Sequence, residues 1–380
     1  MSTHPVVTPP AMLGILGGGQ LGRYFVMAAR QMGYRTTVLE PDPDAPAGKV
    51  ADVHLVAAYD DPDALAQLAD TCAVVTVEFE NAPAAALATI ADRTLVHPPT
   101  EALRITQDRI QEKAFLEEIG APVGPYMIIE SDEDIAEAAD FFFPSILKTA
   151  RFGYDGKGQF GIWNHGDLAG YWEQLGRVPC VLEQKLNLDR ELSMVVARTA
   201  DGRTTTYAVA QNQHVNGILD ISWVPAYMPH DSAEGAAEMC TWLAEELQFV
   251  GVMAVEMFVV GNDVFVNEIA PRPHNTGHYT LDVCTTSQFE MQVRAVCGLA
   301  LSETRLLVPG VAMANLMGDL WEGGEPKWHR ILENPAVHLH LYGKAEPRAG
   351  RKMGHMTVAT GTAMGATALA KRLRKQLTAE

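Results

Sequence analysis

The stretch Val252-Met-Ala-Val-Glu-Met-Phe-Val-Val-Gly-Asn-Asp-Val-Phe-Val-Asn-Glu-Ile269 is typical of two β-strands around a tight turn. Both flanks are rich in β-branched and aromatic residues, and the loop predicted between them has three residues, Gly261-Asn-Asp263. A hairpin that is symmetric about Asn262 places Glu256 directly opposite Glu268, with their Cβ atoms about 5 Å apart. The stretch therefore predicts a pair of facing carboxylates.

This pair of glutamates has a chemical consequence. Two like charges that face each other on apolar strands destabilise the pair unless a cation lies between them. Magnesium is a hard cation that carboxylate oxygens hold, and it commonly accompanies the phosphates of a nucleotide. We therefore predict Glu256 and Glu268 as metal ligands. The alternative is a solvated sheet face on which the two glutamates merely coexist.

A glycine-rich loop, Ala150-Arg-Phe-Gly-Tyr-Asp-Gly-Lys-Gly158, precedes the hairpin in the chain. It lies between predicted strands at Ser145–Thr149 and Gln159–Trp163, and its backbone amides suit a flap that closes over phosphates. It is not a Walker A loop, because the spacing differs and a strand follows instead of a helix. Lys148, on the strand before the loop, is placed to neutralise phosphate charge. The alternative is a glycine-rich surface loop with a solvated lysine.

Two further stretches are polar where packing does not require it. The strand end Glu183-Gln-Lys-Leu186 could bind an adenine through its backbone, and the following Glu191 could accept hydrogen bonds from ribose; the alternative is an ordinary strand exit. After Glu268, the chain continues Ile269-Ala-Pro-Arg-Pro-His-Asn-Thr-Gly-His278. An arginine there offers a rigid fork for a carboxylate, bicarbonate or phosphate. His278 could equally be a structural histidine.

The N-terminal part of the chain alternates strands and helices, which predicts a parallel sheet with crossover helices. Its first turn, Gly17-Gly-Gly-Gln-Leu-Gly22, matches the dinucleotide-binding pattern, and Glu40 ends the second predicted strand. The glycines need only a tight turn before a helix N-terminus that favours anions. The predicted strands are 12–16, 36–39, 74–79 and 95–97, and the predicted helices are 21–32, 64–69 and 84–90.

From about Thr106 the pattern changes to an α+β arrangement with antiparallel strands. The predicted helices are Gln107–Ile119, which ends at Gly120, and 231–247; the predicted strands are 145–149, 159–163, 181–184 and 192–198. The segment beyond about Ala300 is predicted to contain short strands at 313–317, 336–342 and 353–358. In it, His338 and His340 are interpreted as the polar face of a strand, since no third metal ligand is evident.

A group of basic residues lies in this last segment: Lys344, Arg348, Arg351, Lys352 and His355. The formal net charge of the chain is −18, so the group is opposite in sign to the rest. This contrast favours a pocket for a phosphate monoester over the alternative, an ordinary solvated face.

Length and composition limit the possible classes. A chain of 380 residues predicts two or three lobes. Its acidity argues against general nucleic-acid binding, which needs basic surface. The five scattered cysteines predict reduced thiols in a cytoplasmic protein, and we expect no membrane span and no signal peptide.

Together these motifs resemble the ATP-grasp superfamily, and more closely its 5-(carboxyamino)imidazole ribonucleotide synthetase (PurK) family. The resemblance runs from about Gly14 to Val358. It is most specific in four segments: Gly17–Arg23, Gly153–Gln159, Asn267–Asn275 and Gly350–His355. Tyr24 and Glu40 depart from the residues that are common in the family, which makes the N-terminal assignments weaker than those for ATP.

The resemblance implies an α/β and α+β chain with an ATP-grasp fold. A Rossmann-like, pre-ATP-grasp lobe that binds substrate would occupy residues 1–105. The ATP-grasp domain would occupy 106–300, with a flap subdomain at about 121–190, and a small β-rich lobe would occupy 301–380.

The resemblance also implies a role for each matching residue. Glu256 and Glu268 would hold magnesium, and Arg272, His274, Asn275 and Lys148 would be catalytic. The residues implied to contact ATP are Arg109, Lys148, Gly153, Tyr154, Asp155, Gly156, Lys157, Gly158, Gln159, Glu183, Gln184, Lys185, Leu186, Glu191, His214, Asn267 and Glu268. Those implied to contact the ribonucleotide are Gln20, Leu21, Glu78 or Glu80, Tyr154, Asp155, Lys344 and Arg351.

The implied reaction is the ATP-dependent carboxylation of 5-aminoimidazole ribonucleotide with bicarbonate through carboxyphosphate, a step of de novo purine biosynthesis. Its products would be 5-(carboxyamino)imidazole ribonucleotide, ADP and phosphate, and His274 is our hypothesis for the base. A cytoplasmic homodimer is expected from the family.

Three other functions remain open at this point. The first is another ATP-grasp ligase, such as the formate-dependent glycinamide ribonucleotide transformylase, which would share the ATP residues and differ in the loop Arg272–His278. The second is a nicotinamide-dependent oxidoreductase, which Gly17–Gly22 would suit but which leaves the glutamate pair unexplained. The third is a nucleotide sensor without catalysis, which would be expected to have lost the glutamates or the flap lysine.

Overall fold

The structure is a computed structural model that describes residues 5–153 and 158–378. The first sheet of the molecule contains the N-terminal strands. Five parallel strands form this sheet in the order β3-β2-β1-β4-β5. The strands are β1 (Met12–Leu16), β2 (Arg35–Leu39), β3 (Val53–Leu55), β4 (Val74–Val77) and β5 (Leu95–Val96), and the helices are α1 (Gln20–Gln31), α2 (Pro62–Thr71), α3 (Ala84–Ala91) and α4 (Thr100–Thr106). The predicted parallel sheet is confirmed; β3 was not predicted, because three half-buried residues give almost no pattern.

The second sheet is antiparallel and contains the strands on either side of the glycine-rich loop. Four strands lie in the order β6-β9-β7-β8. They are β6 (Tyr126–Ile129), β7 (Ser145–Thr149), β8 (Gln159–Ile162) and β9 (Cys180–Gln184), and the helices of this region are α5 (Arg109–Glu118), α6 (Asp132–Glu137) and α7 (His165–Gln174). We refer to these strands as the flap sheet.

The single helix predicted over Gln107–Ile119 is wrong at its start. The chain leaves α4 after Thr106 and begins α5 at Arg109. Asp108 separates the two helices, since its extended backbone ends the first and its side chain accepts hydrogen bonds from the amides of Ile110 (3.0 Å) and Gln111 (3.4 Å). Aspartate is a preferred residue at such an N-terminal cap.

The third sheet has nine strands and joins the central and C-terminal parts of the chain. Its order is β15-β14-β10-β12-β13-β16-β18-β17, and β11 pairs with β10. The strands are β10 (Arg190–Arg198), β11 (Thr204–Thr206), β12 (Ala210–Val215), β13 (Ile218–Val224), β14 (Gly251–Val260), β15 (Asp263–Ala270), β16 (Gly310–Met317), β17 (Val337–Leu341) and β18 (Lys352–Thr360). The helices are α8 (His230–Glu246), α9 (Thr280–Val283), α10 (Gln288–Val296), α11 (His329–Leu332) and α12 (Ala363–Gln376).

Strands from both sides of residue 300 therefore share this sheet. β13 pairs with β16 through four residues, from Ile221 opposite Ala314 to Val224 opposite Val311. The predicted boundary between the second and third lobes falls between strands of one sheet, and the division into three domains stays a prediction.

The hairpin β14–β15 confirms the predicted glutamate pair by a different route. Its turn has two residues instead of three, because Val260 pairs with Asp263, and Gly261 adopts a φ of 63°. The register then shifts by one residue at a β-bulge, so that Met257 faces Val266 and Glu256 faces Glu268. Asn267 is the extra residue of the bulge, and it restores the pairing that the three-residue loop would have given.

The largest hydrophobic core lies beneath this hairpin. Apolar side chains of α5 and α8 pack on one face of β10, β14 and β15, and the fully buried members include Leu116, Leu243, Phe249, Met253 and Val255. Burial of such side chains is the main stabilising contribution to folding. In the part of the chain that the structure describes, no helix combines the length and the apolar character that a bilayer crossing requires. All five cysteines are free.

Candidate active site

A cleft of about 560 Å³ is lined by residues of the flap sheet and of the nine-stranded sheet. It brings together side chains that are far apart in sequence, as ligand sites commonly do. The predicted site residues that line it are Arg109, Lys148, Gly153, Gln159, Glu183, Gln184, Lys185, Leu186, Glu191, His214, Glu256, Asn267, Glu268, Arg272, His274 and Asn275.

The facing glutamates of the hairpin differ in their electrostatic surroundings. Burial and the charge of Glu268 raise the pKa of Glu256. Burial also opposes ionisation of Glu268, but the positive charges of Arg109 and Lys148 outweigh it and lower the pKa of that carboxyl. Arg109 donates from Nη1 to Oε2 of Glu268 at 2.8 Å. A cation between the carboxylates would relieve the repulsion that Glu256 experiences.

The oxygen atoms around this pair fit a magnesium ion. The bulge places Asn267 next to Glu268, and both residues line the cleft. The side-chain oxygen of Asn267 is buried and has no hydrogen-bond partner among residues 5–153 and 158–378. Two carboxylates and an amide oxygen are the hard ligands that Mg²⁺ prefers, and the ion usually keeps several waters as well.

Lys148 is held by a buried carboxylate on the neighbouring strand. Glu183 of β9 forms ion pairs with Lys148 of β7 and with Lys113 of α5, the second at 3.2 Å. Burial alone would raise the pKa of Glu183, but Lys148 and Lys113 together lower it to about 2. The carboxylate therefore stays charged and fixes the Lys148 ammonium group within the cleft.

A second charged pair lines the cleft between β10 and β12. His214 Nδ1 contacts Oε2 of Glu191. Burial disfavours the charged imidazole, yet the hydrogen bond to Glu191 and the charge of Glu256 raise the pKa of His214. The two residues predicted to contact ATP at this position are therefore in direct contact with each other.

The loop after β15 carries the other predicted catalytic residues. Arg272 donates from Nε to Oε2 of Glu80 at 2.5 Å, which joins this loop to the segment after β4. Burial would raise the pKa of Glu80, but Arg272 outweighs it and lowers that pKa. The guanidinium is thus fixed at its Nε side, at the wall of the cleft.

His274 lies in a position that favours the neutral imidazole. Its Nε2 is 3.3 Å from Oε1 of Glu256, and its Nδ1 is 2.9 Å from the hydroxyl of Thr276. Burial and the charge of Arg272 lower the pKa of His274 to about 3. The imidazole is therefore neutral at neutral pH, and its surroundings make it a weak base.

Asn275 is held from the C-terminal part of the sheet. Its amide exchanges two hydrogen bonds with the amide of Asn315 on β16, at 3.0 and 2.8 Å. Asn315 also donates to the carbonyl of Leu219 at 2.7 Å. Sequence reasoning missed Asn315; the signal was a single asparagine in an otherwise apolar strand.

The glycine turn before α1 binds carboxylates of the chain itself. Glu78 accepts hydrogen bonds from the amides of Gly19 and Leu21, the second at 3.1 Å, and Glu40 accepts from the amide of Gly18 at 2.8 Å. A Cβ atom at Gly18 would lie 2.5 Å from Cγ of Glu40, so the glycine makes room for this glutamate. The anion-binding end of the helix is therefore already occupied, which argues against the interpretation of Gly17–Gly22 as a dinucleotide-binding turn.

Among the described residues that were predicted to contact the ribonucleotide, Glu80 lines the cleft, whereas Gln20, Leu21, Glu78, Lys344 and Arg351 do not. Glu80 also binds Arg272, whereas Glu78 is buried against the glycine turn, where burial raises its pKa. Assignment of the ribonucleotide site to Gln20, Leu21, Glu78, Lys344 and Arg351 stays a prediction. Tyr154, Asp155, Gly156 and Lys157 lie outside the described residues, and Gly158 is not among the residues that line the cleft.

One residue of the predicted basic group near the C-terminus, His355, does not lie at the surface. His355 is completely buried, stacked on the ring of His340 at 4.5 Å and bonded to the hydroxyl of Tyr342 at 3.0 Å. It does not belong to a phosphate pocket. The ring of His278 is also fully buried, 4.7 Å from that of His355, which favours the structural alternative for this residue.

His340 has more partners than its strand predicted. Its Nε2 lies 2.9 and 3.0 Å from the two carboxylate oxygens of Asp282. One ligand atom from each of Asp282, His340 and His355 lies within 4.8 Å of the other two, so His340 has two potential metal-ligating neighbours that the sequence did not reveal, and His338 is not one of them. The hydrogen bonds between His340 and Asp282 already account for that pair.

Two charged residues of α5 were also missed. Glu112 and Lys113 are only 2% and 3% exposed, and their side chains contact the backbone of β15 next to the glutamate pair. The sequence offered only a charged helix, in which buried and exposed charges look alike.

Comparison with known proteins gives a consistent result along the whole chain. Three family models match in order: the ribonucleotide synthetase preATP-grasp domain at residues 11–107, the ATP-grasp domain at 114–289 and the phosphoribosylaminoimidazole carboxylase C-terminal domain at 311–368. The N5-carboxyaminoimidazole ribonucleotide synthase of Bacillus subtilis is 43% identical over 354 residues, which cover 93% of this chain and 92% of that protein.

Solved structures agree with the sequence comparison. The ADP complex of purK, an N5-carboxyaminoimidazole ribonucleotide synthetase, has a TM-score of 0.92 at 40% identity and covers 97% of both chains. The Aspergillus clavatus N5-carboxyaminoimidazole synthase in complex with ADP and 5-aminoimidazole ribonucleotide has a TM-score of 0.86 at 28% identity, covering 97% of this chain and 98% of its own. The chain therefore belongs to the N5-carboxyaminoimidazole ribonucleotide synthase family of ATP-grasp enzymes.

Proposed function

We propose that this chain carboxylates the exocyclic amine of 5-aminoimidazole ribonucleotide at the expense of ATP. The observation that carries the proposal is one cleft, in a member of this family, that joins the glutamate pair, the flap-sheet lysine and the Arg272 loop. These groups supply a site for a metal and its nucleotide next to a site for a small anion. An enzyme that activates bicarbonate with ATP needs both.

The proposed metal site consists of Glu256, Glu268 and the side-chain oxygen of Asn267. Magnesium bound there would neutralise charge on the β- and γ-phosphates of ATP. Lys148, fixed by Glu183, is proposed to contact the same phosphates. Arg109, which already pairs with Glu268, is proposed to contact the nucleotide as well.

The first chemical step is attack of a bicarbonate oxygen on the γ-phosphorus of ATP. The bond between that phosphorus and the β,γ-bridging oxygen breaks, and ADP leaves carboxyphosphate behind. Arg272 is proposed to orient bicarbonate: Glu80 holds its Nε and Nη1 donates to the carbonyl of Pro273 at 3.3 Å, which leaves the N–H groups of Nη2 and the second N–H of Nη1 for an anion. Positioning and electrostatic stabilisation account for most of the catalysis in such a transfer.

The second step joins carbon to nitrogen. The amine attacks the carboxyl carbon, directly or after carboxyphosphate releases carbon dioxide; inorganic phosphate leaves and the amine loses a proton. His274 is proposed as the acceptor of that proton, because its environment keeps the imidazole neutral. Asn275, held by Asn315, is proposed to orient the carboxyl group.

The glycine-rich loop is proposed to close over the phosphates. Gly153 in the loop and Gln159, the first residue of β8 after it, both line the cleft. Closure would keep water from carboxyphosphate, which hydrolyses readily.

We also propose a cytoplasmic homodimer. The five free cysteines suit a reducing compartment, and light scattering after size exclusion tests the dimer.

The test of the proposed function is ADP release with ATP, magnesium and bicarbonate, with and without 5-aminoimidazole ribonucleotide. We expect strong stimulation by the ribonucleotide, and a rate at least about a hundredfold lower in Glu268→Gln, where the charge that faces the metal is lost. Glu303→Gln, an exposed glutamate outside the cleft, is the matched control. Activity only with formate and glycinamide ribonucleotide would instead assign the chain to a formate-using ligase.

A further inference from the structure

The strand that carries Asn267 and Glu268 lies at the edge of its sheet. β15 pairs with a strand, β14, on one side only; on its other side the amide of Val266 donates to the carbonyl of Pro122 at 2.7 Å, and the outward backbone groups beyond Val266 need other partners. The bulge adds to this need, because the extra residue Asn267 has no opposite residue on β14. An unsupported bulge at a sheet edge would leave the direction of the two side chains poorly fixed.

Helix α5 supplies the missing partners. The ammonium group of Lys113 donates to the carbonyl oxygen of Asn267 at 3.1 Å. The amide of Ile269 donates to Oε1 of Glu112 at 2.6 Å. Glu268 lies between these two backbone contacts, so adjacent residues of one helix hold the chain on both sides of the predicted metal ligand.

The same helix face also reaches the side chain of Glu268. Arg109 lies three and four residues before Glu112 and Lys113, which places all three on one side of α5. Arg109 donates to the carboxylate of Glu268 itself. Lys113 has a second contact, 3.2 Å from Glu183, the carboxylate that also holds Lys148. One helix face thus contacts the proposed metal site and the proposed phosphate site.

Burial of these two ionisable side chains indicates a specific role. Burial and the charge of Glu268 raise the pKa of Glu112 to about 8. A buried polar or charged group is costly unless it is hydrogen-bonded, and an apolar side chain would fill the same space at lower cost. Glu112 and Lys113 each bond a backbone group that flanks Glu268, which no apolar residue could do.

We propose that Glu112 and Lys113 are positioning residues that clamp the bulge, so that Glu268 and Asn267 present their oxygens to Mg²⁺ and its nucleotide. We call the two residues the α5 clamp. The inference rests on the proposed function only in taking the cleft as the site of a metal-bound nucleotide.

The test compares variants that remove or keep each hydrogen bond. Glu112→Leu removes the acceptor for Ile269, whereas Glu112→Gln keeps an acceptor oxygen. Lys113→Met removes the donor to Asn267 and provides an independent variant should Glu112→Leu not fold. Glu118→Leu, at an exposed position of the same helix, is the matched control.

Three readouts are needed: hydrogen exchange of the peptide over residues 265–270 without ligand, ADP binding by calorimetry with and without Mg²⁺, and the magnesium dependence of ADP release. We expect Glu112→Leu and Lys113→Met to exchange faster in that peptide and to need about tenfold or more magnesium, the usual effect of losing support for a metal ligand. Glu112→Gln and Glu118→Leu should have nearly the same hydrogen exchange in that peptide, and nearly the same magnesium requirement, as the parent protein.

A double-mutant cycle with Glu268→Gln separates positioning from simple destabilisation. If the clamp acts through Glu268, Glu112→Leu should have little further effect on magnesium-dependent ADP binding once Glu268 is neutral. An equal effect in both backgrounds, or unchanged exchange and binding in Glu112→Leu and Lys113→Met, would overturn the proposal. Should the parent protein fail to carboxylate the ribonucleotide while the variants still lose magnesium-dependent ADP binding, the proposed function falls and the clamp stands.

Discussion

At the scale of single residues, the site is organised by carboxylates that hold cations in place before any substrate arrives. Glu183 fixes Lys148, Glu80 fixes Arg272, and Glu268 fixes Arg109. Each pair costs desolvation of both partners. As a result of these pairs, the positive groups are oriented before the substrates bind. Preorganised charge of this kind is the usual source of catalysis in phosphoryl transfer.

The pair Glu80–Arg272 gives a prediction about bicarbonate. Glu80→Gln should leave Arg272 charged but less firmly oriented, so we expect the bicarbonate KM to rise while ATP binding changes little. Steady-state kinetics at varied bicarbonate, with calorimetric binding of ADP, measure the two effects. Equal losses in both would mean that Glu80 supports the whole cleft and not the arginine alone.

The pair of Glu183 with its two lysines gives a prediction about pH. Its pKa is lowered from 4.5 to about 2, so the carboxylate stabilises the folded state above pH 4.5, and this contribution is lost as pH falls toward 2. Glu183→Gln should therefore reduce the free energy of unfolding by a few kcal/mol at pH 7, on the order expected for a broken buried pair. Urea unfolding at a series of pH values should show that the difference in unfolding free energy between the variant and the parent protein becomes smaller below pH 4.5. A constant difference would contradict the assignment.

At the scale of secondary-structure elements, the start of α5 combines stability with function. Asp108 caps the helix that presents Arg109, Glu112 and Lys113. Asp108→Ala should cost about 1 kcal/mol of unfolding free energy. We also expect weaker ADP binding, since the first turn carries Arg109. Asp108→Asn, which retains a capping oxygen, should lose much less on both measures, and a loss as large as that of Asp108→Ala would argue against capping as the cause.

The hairpin shows both the strength and the limit of prediction from sequence. Alternation of apolar residues fixed which glutamates could face each other, and this pairing is confirmed. The pattern could not distinguish a three-residue loop from a two-residue turn with a bulge at Asn267, because both put Glu256 opposite Glu268. The difference depends on tertiary contacts from α5, which no local pattern contains.

Other elements show where local patterns fail. The short strand β3 and the break between α4 and α5 depend on a sheet neighbour and on a single capping side chain. Motifs whose spacing reflects chemistry were more informative, because the cleft gathers nearly all of the residues that were predicted to contact ATP and lie in the described ranges. The residues that support them, Glu112, Lys113 and Asn315, were missed because their roles are contacts across the fold.

At the scale of the whole molecule, the C-terminal strands are structurally part of the active-site sheet. β16 pairs with β13, and Asn315 of β16 holds Asn275 in the cleft. The N-terminal sheet joins the same assembly through Tyr24 of α1, whose ring lies 5.0 Å from that of Phe289 and 6.2 Å from that of Tyr342. The cleft therefore depends on all three parts of the chain.

A truncation tests this dependence. A chain that ends at Ala300 lacks β16, β17, β18 and α12, which exposes β13 as a new edge and leaves Asn275 without its partner. We expect low soluble yield and no magnesium-dependent ADP binding, measured beside the full chain. A soluble chain of residues 1–300 that unfolds cooperatively and binds ADP normally would show that the C-terminal part is dispensable.

The occupied glycine turn bears on attempts to redesign this protein. Glu78 and Glu40 act as built-in counter-anions for the amides that precede α1. An engineer who wished to graft a pyrophosphate-containing ligand onto this turn would have to remove both carboxylates together, since either one left behind would repel the incoming charge. The cavities left by the two side chains would then have to be refilled. The similarity of this glycine turn to a dinucleotide-binding turn is therefore not enough to convert the protein into a dehydrogenase by one or two substitutions.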